Sequence, residues 1–278
     1  MAELDILDLN DEVLVQAYQG ENYQCFDTGV DSDLCYILFS SHGLYYPNTR
    51  EVFQEQIVKK DRYEWKWVVK NSHIPQTAGR IIYVRDIYKE WYSKGINRRT
   101  DTIDKTLELL KKLTVGWKVV TVGSSAGGYM AVLTAVKLKA DYCLNFSGQY
   151  CIPADLNNPY YNLVDMLSEY EGTIFYFLPA YCESDQVHYK SVQGIRCVKS
   201  FLFSESKHAA TMFAGNMSCI IDKRKEDLLL LWGKYSNKEI NKFVFLFQTA
   251  QINKVFTILR KELQGFCVRR MGKHWHGI

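Results

Sequence analysis

The sequence lacks any apolar run that approaches the ~18 consecutive residues needed to cross a bilayer. It also lacks a basic segment followed by an apolar core near its start, because residues 1–8 are acidic and mixed in polarity. The first absence argues against a transmembrane segment, and the second argues against a secretory signal. We therefore expect a cytoplasmic protein.

The charge balance and the cysteine spacing exclude further classes. The net charge of +3 is too small to indicate a nucleic-acid-binding protein, and no motif of that class is present. The eight cysteines form no C-x-x-C pair, and several lie in apolar runs, where cysteine behaves as a small hydrophobic residue. We expect reduced thiols. We also expect no metal site, because the one close histidine pair, His274 and His276, lies in a stretch that we predict to be frayed.

Short buried runs and amphipathic runs alternate along most of the chain. Strong strand predictions, rich in β-branched and aromatic residues, fall at residues 34–39, 80–85, 119–122, 141–148, 173–178 and 197–203. Helices are predicted at residues 50–59 and 102–113, and directly after the strand at 119–122. Such alternation is typical of an α/β fold whose largely parallel sheet is covered by helices on both faces. A chain of 278 residues is long enough for one such domain, and we predict a single domain over residues 1–278.

The remaining regions carry weaker patterns. Residues 12–18 and 22–27 are predicted as strands, and residues 63–69 as another extended segment. Residues 149–172 form a predicted cap insertion with four tyrosines, which either face a substrate or pack in the ordinary way. Residues 222–278 are predicted to form a mostly helical C-terminal extension without a recognisable motif.

The segment Gly123-Ser124-Ser125-Ala126-Gly127 fits the pattern G-x-S-x-G. A buried strand precedes it and a helix-forming run follows it, which is the context in which this pattern holds a nucleophilic serine. Such a sharp turn strains the serine backbone, and the glycines allow neighbouring chains to approach. We predict that Ser125 is a nucleophile and that the amide of Ala126 stabilises an oxyanion. The alternative is a turn that binds phosphate or only reverses the chain.

Two later segments supply the other residue types that acyl transfer needs. Asp185 and His208 each lie in a predicted loop directly after a strand, so the chain order is serine, acid, histidine. In such a triad the histidine takes the proton of the serine and returns it to the leaving group, while the aspartate fixes the imidazole tautomer. Glu183 stays open as an alternative acid, and His188 is too close to Asp185 in sequence to be a good base.

With these features the chain resembles an α/β-hydrolase-fold serine enzyme over about residues 34–210. The resemblance implies a mostly parallel central sheet with helices on both faces and a small cap insertion. It also implies a second oxyanion amide in the turn after the strand at 34–39, which reads His42-Gly43-Leu44 in place of the common His-Gly-Gly-Gly. The amide of Gly43 or of Leu44 would serve, and His42 is either structural or in contact with substrate.

In its compact cap and its lack of an export signal, the chain also resembles α/β-hydrolase-like proteins of bacterial surface-polysaccharide pathways. Some of those proteins transfer acetyl groups to sugar hydroxyls. The leading hypothesis is therefore an acyl-enzyme catalyst that works on acetyl esters. It acts as an esterase, or as an O-acetyltransferase with a carbohydrate acceptor and acetyl-CoA as a possible donor, and it binds no cofactor. The alternative is a non-catalytic hydrolase-fold module that binds a glycan or a partner protein. The oligomeric state is left open.

Overall fold

The computed structural model describes residues 9–153, 158–209, 214–236 and 238–249. Within these residues one sheet contains eight strands, which are β1 (Tyr23–Asp27), β2 (Leu34–Phe39), β3 (Arg80–Val84), β4 (Lys118–Ser124), β5 (Tyr142–Phe146), β6 (Thr173–Pro179), β7 (Val198–Phe203) and β8 (Glu239–Ile240). Their order across the sheet is β1-β3-β2-β4-β5-β6-β7-β8. The edge strand β1 runs antiparallel to β3, and every other neighbouring pair is parallel.

Helices connect the strands. They are α1 (Glu12–Tyr18), α2 (Arg50–Phe53), α3 (Lys66–Lys70), α4 (Ile74–Thr77), α5 (Ile103–Leu113), α6 (Ala126–Leu138), α7 (Glu183–Val192), α8 (Ala214–Ile221), α9 (Lys225–Tyr235) and α10 (Lys242–Thr249). A π-helical segment, Gln54–Lys59, continues α2, and short 3-10 helices lie at His42–Leu44 and Val164–Glu169.

The helices cover both faces of the sheet. Alternate residues of a strand point to opposite faces, so Ile37 of β2 packs in one buried cluster and Leu38 packs in another. The first cluster contains side chains from α5, α6 and α7, and the second contains side chains from α3, α8, α9 and α10. This arrangement confirms the predicted α/β class with a mostly parallel sheet. The six strong strand predictions are confirmed to within two residues at each end.

Two weak predictions in the first half are wrong. Residues 12–18 form α1 and not a strand, because the Asp11 carboxylate accepts a hydrogen bond from the amide of Val13 (2.8 Å) and caps the helix. Residues 63–69 contain the start of α3 and are not extended. The Trp65 side chain precedes that helix and donates from Nε1 to the carbonyl oxygen of Phe39 at 2.8 Å, a contact that the local sequence does not reveal.

The second half differs from the prediction in two places. Helix α7 begins at Glu183, so Asp185 lies in its first turn and not in a loop. The short strand β8, which is not among the predicted strands, follows β7 in sequence and in the sheet, so His208 lies between two strands. Of the predicted extension, residues 250–278 lie outside the described residues, and so do His274 and His276. No helix in the described ranges is long and apolar enough to cross a membrane.

Candidate active site

Ser125 sits on a strained turn between β4 and α6. Its φ of 49° and ψ of −124° lie in a region that residues with a side chain rarely adopt. A Cβ at Gly123 would lie 2.0 Å from the carbonyl oxygen of Gly127, and one at Gly127 would lie 2.3 Å from the carbonyl oxygen of Phe39. Both positions therefore require glycine, and the strand and the helix pack closely enough to hold the serine in place.

The side chains of Ser125, His208 and Asp185 lie in one hydrogen-bonded row. Nε2 of His208 is 3.0 Å from Oγ of Ser125, and Nδ1 is 2.9 and 3.1 Å from the two carboxylate oxygens of Asp185. An ionised carboxylate only accepts hydrogen bonds, so Nδ1 carries the proton and donates to Asp185. Nε2 is then the acceptor for the serine hydroxyl. The structure thus brings together three residues that are widely separated in sequence.

The burial of the three groups differs in a useful way. Asp185 is only 1% exposed, Ser125 is half-buried, and the side chain of His208 is 39% exposed. The carboxylate is therefore shielded from water, whereas the imidazole and the serine are partly exposed to solvent. Residues two positions apart on a helix are separated by about 200° around its axis. The side chain of Glu183 therefore points away from that of Asp185, and it is exposed. Asp185, and not Glu183, is the carboxylate in contact with His208.

Two backbone amides near Ser125 are candidates for an oxyanion hole. The amide of Ala126 opens α6, and no hydrogen-bond partner for it is found in the described part of the chain. The amides of Gly43 and Leu44, in contrast, donate to the hydroxyl (2.9 Å) and the carbonyl (3.1 Å) of Ser41.

The first amide of that 3-10 turn, on His42, has no partner among the described residues. The hydrogen bonds of the turn therefore favour the amide of His42 over the two amides that the sequence indicated. The sequence does not indicate the His42 amide, because the Gly43 amide is occupied by the side chain of Ser41. The Ser41 hydroxyl is itself held in place by a hydrogen bond that it donates to the Glu64 carboxylate at 2.8 Å.

Two further side chains beside Ser125 were not predicted. Nε2 of Gln149 lies 3.4 Å from Oγ of Ser125, and Nε1 of Trp91 lies 3.3 Å from Oε1 of Gln149. Because an indole nitrogen only donates, the Gln149 oxygen faces Trp91 and its NH₂ group faces the serine. Gln149 follows β5 closely, where the carboxyl ends of parallel strands gather functional side chains, and this was the signal available in the sequence.

Two further histidines, His42 and His188, lie near the triad, and burial lowers the pKa of both. Burial, and to a smaller extent the neighbouring Lys89 and His208, lowers the pKa of His42 to about 4. Its ring packs edge-on against Trp91 at 4.6 Å, and its Nε2 is buried without a partner among the described residues. Burial also lowers the pKa of His188, whose Nδ1 accepts from the amide of Tyr150 at 3.4 Å.

The cap tyrosines mostly serve packing. Tyr150 is buried against Tyr176 with ring centroids 5.1 Å apart, and Tyr170 is buried and donates to the carbonyl of Ala140 at 2.7 Å. The hydroxyl of Tyr160 donates to the carboxylate of Asp104 at 2.5 Å. Only Tyr161, which is 50% exposed, is free to face solvent among the four.

A buried aspartate holds the loop that carries Trp91. The carboxylate of Asp86, 4% exposed, accepts hydrogen bonds from four amides of that loop. These amides are those of Tyr88 (3.0 Å), Lys89 (3.1 Å), Glu90 (2.9 Å) and Tyr92 (2.8 Å). Three loop residues have positive φ, Lys89 at 56°, Trp91 at 50° and Tyr92 at 62°, so the carboxylate offsets backbone strain. Tyr92 also donates to the carbonyl of Ser40 at 2.8 Å, which ties this loop to the turn of His42.

Replacing Asp86 by asparagine is expected to destabilise the protein by about 3 kcal/mol, because the new NH₂ group faces two amide donors and leaves them buried without an acceptor. Urea denaturation of the Asp86→Asn variant measures this loss. Glu90→Gln in the same loop is the matched control, since the Glu90 carboxylate pairs with the exposed Lys94 at 2.8 Å and accepts none of the loop amides in the described part of the chain. Equal stability of the two variants would contradict the role given to Asp86.

The mostly parallel sheet, the strained serine turn after β4 and the helix behind it define an α/β-hydrolase fold. Comparison with solved structures agrees. The capsule O-acetyltransferase of Neisseria meningitidis serogroup A is similar with a TM-score of 0.50 and 11% identity, over 73% of this chain and 93% of that one. A lipase-esterase related protein from Clostridium acetobutylicum matches with a TM-score of 0.46 and 11% identity, over 72% of this chain and 98% of the other. No family model and no curated protein sequence matches the chain.

Proposed function

We propose that the protein is a serine-dependent acyl-transfer enzyme that forms an acyl ester on Ser125. The observation that carries the proposal is the hydrogen-bonded row from Ser125 through His208 to the buried carboxylate of Asp185. The strained turn that presents Ser125 is a second support, because backbone strain of this kind persists where the surrounding structure enforces it. Neither feature is needed for a non-catalytic domain that only binds a glycan or a partner protein.

The first half-reaction uses these groups in turn. Oγ of Ser125 attacks the acyl carbonyl while Nε2 of His208 takes the hydroxyl proton. The developing oxyanion is stabilised by the amides of Ala126 and His42, and Asp185 stabilises the imidazolium. When the tetrahedral intermediate collapses, the bond to the leaving group breaks, His208 returns the proton to that group, and the acyl chain stays on Ser125.

The second half-reaction repeats these steps with a new nucleophile. A hydroxyl group loses its proton to Nε2 of His208 and attacks the acyl carbonyl on Ser125. When the second tetrahedral intermediate collapses, the bond between the acyl carbon and Oγ breaks and His208 returns the proton to Oγ of Ser125. If the hydroxyl belongs to water, the enzyme is an esterase. If it belongs to a sugar, the enzyme is an O-acyltransferase, which requires that the site bind the sugar better than water.

We propose a carbohydrate hydroxyl as the position that gains or loses an acetyl group. The neutral ring of His42, the indole of Trp91 and the amide of Gln149 lie together beside Ser125. An aromatic ring with neighbouring donors and acceptors suits a sugar, whose polar hydroxyls surround an apolar ring face. The neighbour from Neisseria meningitidis is named a capsule O-acetyltransferase, so this fold accommodates such chemistry. Acetyl-CoA is the proposed donor for the transferase reaction.

Thiol release from acetyl-CoA, with and without mixed bacterial glycans, tests this proposal. We expect free thiol to appear faster when glycan is present, because an acceptor hydroxyl resolves the acyl-enzyme. If thiol is not released but p-nitrophenyl acetate is cleaved, the carbohydrate transferase is contradicted and the esterase remains. If both assays are silent, acyl transfer itself is contradicted and the binding module is favoured.

A further inference from the structure

Three possible metal ligands cluster at one end of the triad. The thiol sulfur of Cys182, a carboxylate oxygen of Asp185 and a ring nitrogen of His208 all lie within 4.8 Å of one another. Cys182 directly precedes α7 and Asp185 is three residues further on, so the two side chains share one side of the helix start. His208 reaches them from the loop after β7.

The three donors match what Zn²⁺ binds. Thiolate sulfur, imidazole nitrogen and carboxylate oxygen are its usual protein ligands, and a site with three protein ligands leaves a fourth position for water. Bond lengths of roughly 2.0–2.3 Å place the ligand atoms of a tetrahedral site about 3.5 Å apart. The longest distance between two ligand atoms of this cluster must therefore shorten by about 1 Å when the ion binds. The His208 side chain, which is 39% exposed on a loop, has room for such a shift.

Coordination would change the tautomer of His208. The ring nitrogen nearest Asp185 is Nδ1, which donates its proton to that carboxylate in the free protein. A metal ion on Nδ1 needs the lone pair of that nitrogen, so the ring proton moves to Nε2. The thiol of Cys182 loses its proton to solvent and binds as thiolate. Nε2 then carries a hydrogen that faces Oγ of Ser125, and it no longer accepts the serine proton.

We propose that Cys182, Asp185 and His208 form an inhibitory site for a thiophilic divalent cation, with Zn²⁺ as the best-matched ion. Binding of the ion follows from the three donors alone, whereas inhibition also rests on the proposed function of the triad. No spacing in the sequence indicates this site, because two of the ligands lie at the start of α7 and the third follows a different strand.

Metal binding is measured first in the Ser125→Ala variant, which keeps all three ligands and lacks the nucleophile. Titration with ZnCl₂ in a calorimeter is expected to show one ion per chain. Adding Cys182→Ala is expected to weaken binding at least tenfold. The matched control is Cys25→Ala, because Cys25 is a half-buried free thiol on β1, at the opposite edge of the sheet. Equal affinity with and without Cys182 would overturn the proposal.

A spectroscopic arm keeps the test valid if a variant is unstable. Co²⁺ added to the full chain is expected to give a thiolate-to-metal charge-transfer band that is present in Cys25→Ala and absent in Cys182→Ala. A band that persists without Cys182, or no band in the unmodified protein, would contradict the site.

Inhibition is measured separately on p-nitrophenyl acetate cleavage. The Zn²⁺ concentration that halves the rate is expected to rise at least tenfold in Cys182→Ala and to stay unchanged in Cys25→Ala. Zinc binding without any inhibition would refute the inhibitory role. A protein that binds zinc through Cys182 but has no Ser125-dependent turnover would show that the proposed function has failed while the metal site stands.

Discussion

Replacing Ser125 by alanine is expected to lower kcat for acyl transfer by about 10⁶-fold, because the oxygen that carries the acyl group is removed. His208 and Asp185 then have no nucleophile to activate, since the 3.0 Å contact between Nε2 and Oγ is lost. The residual rate would come from the oxyanion hole and from substrate binding alone. Initial rates of p-nitrophenyl acetate cleavage, taken at saturating substrate, measure the loss.

The adjacent serine provides the control. Ser124 is fully buried, and its hydroxyl has no hydrogen-bond partner within the described residues. Ser124→Ala therefore removes an unsatisfied polar group and is expected to leave activity within about threefold and stability unchanged or higher. Similar activity of the Ser125→Ala and Ser124→Ala variants would show that Ser125 is not the nucleophile.

The Asp185→Asn substitution is expected to reduce kcat by about 10⁴-fold, with little change in KM. Asparagine has nearly the same shape, but its NH₂ group can donate to Nδ1 of His208 and so stabilise the tautomer whose proton is on Nε2. The base is then blocked on the side that faces Ser125. The substitution also removes the negative charge, at a site only 1% exposed, that stabilises the imidazolium.

Glu183→Gln is the matched control for this variant. Glu183 lies in the same first turn of α7 and also changes from carboxylate to amide, but its side chain is exposed. We expect its activity to stay within about twofold of the unmodified protein. If Glu183→Gln lost as much activity as Asp185→Asn, the assignment of the acid to Asp185 would be wrong.

The sequence was sufficient to predict the sheet because its central strands are buried on both faces. In β4, for example, residues 119–122 are all buried and all β-branched, and in β5 the buried residues Tyr142, Leu144 and Phe146 are apolar or aromatic. The turn that carries Ser125 could also be predicted from the sequence. At Gly123 and Gly127 a Cβ would lie within 2.3 Å of a backbone atom, so both positions must be glycine. This requirement is visible in the local sequence as the G-x-S-x-G pattern.

The groups around the triad depend on contacts that local sequence does not encode. Asp86 lies four and six residues from two of the four amides that it binds, and its loop has no regular pattern. The choice among the amides of the His42 turn depends on Ser41 and, through it, on Glu64 more than twenty residues away. The helix over residues 12–18 was mistaken for a strand because a seven-residue segment with valine at two positions fits either periodicity.

Capture of the covalent intermediate tests the proposed mechanism most directly. The protein is mixed with acetyl-CoA in the absence of an acceptor, quenched in acid within the first turnover, digested and analysed by mass spectrometry. The mechanism predicts one acetyl group on the peptide that contains Ser125, and its loss when a glycan acceptor is added before the quench. Turnover without acetylation of that peptide, or acetylation at a different residue that disappears on adding acceptor, would contradict it.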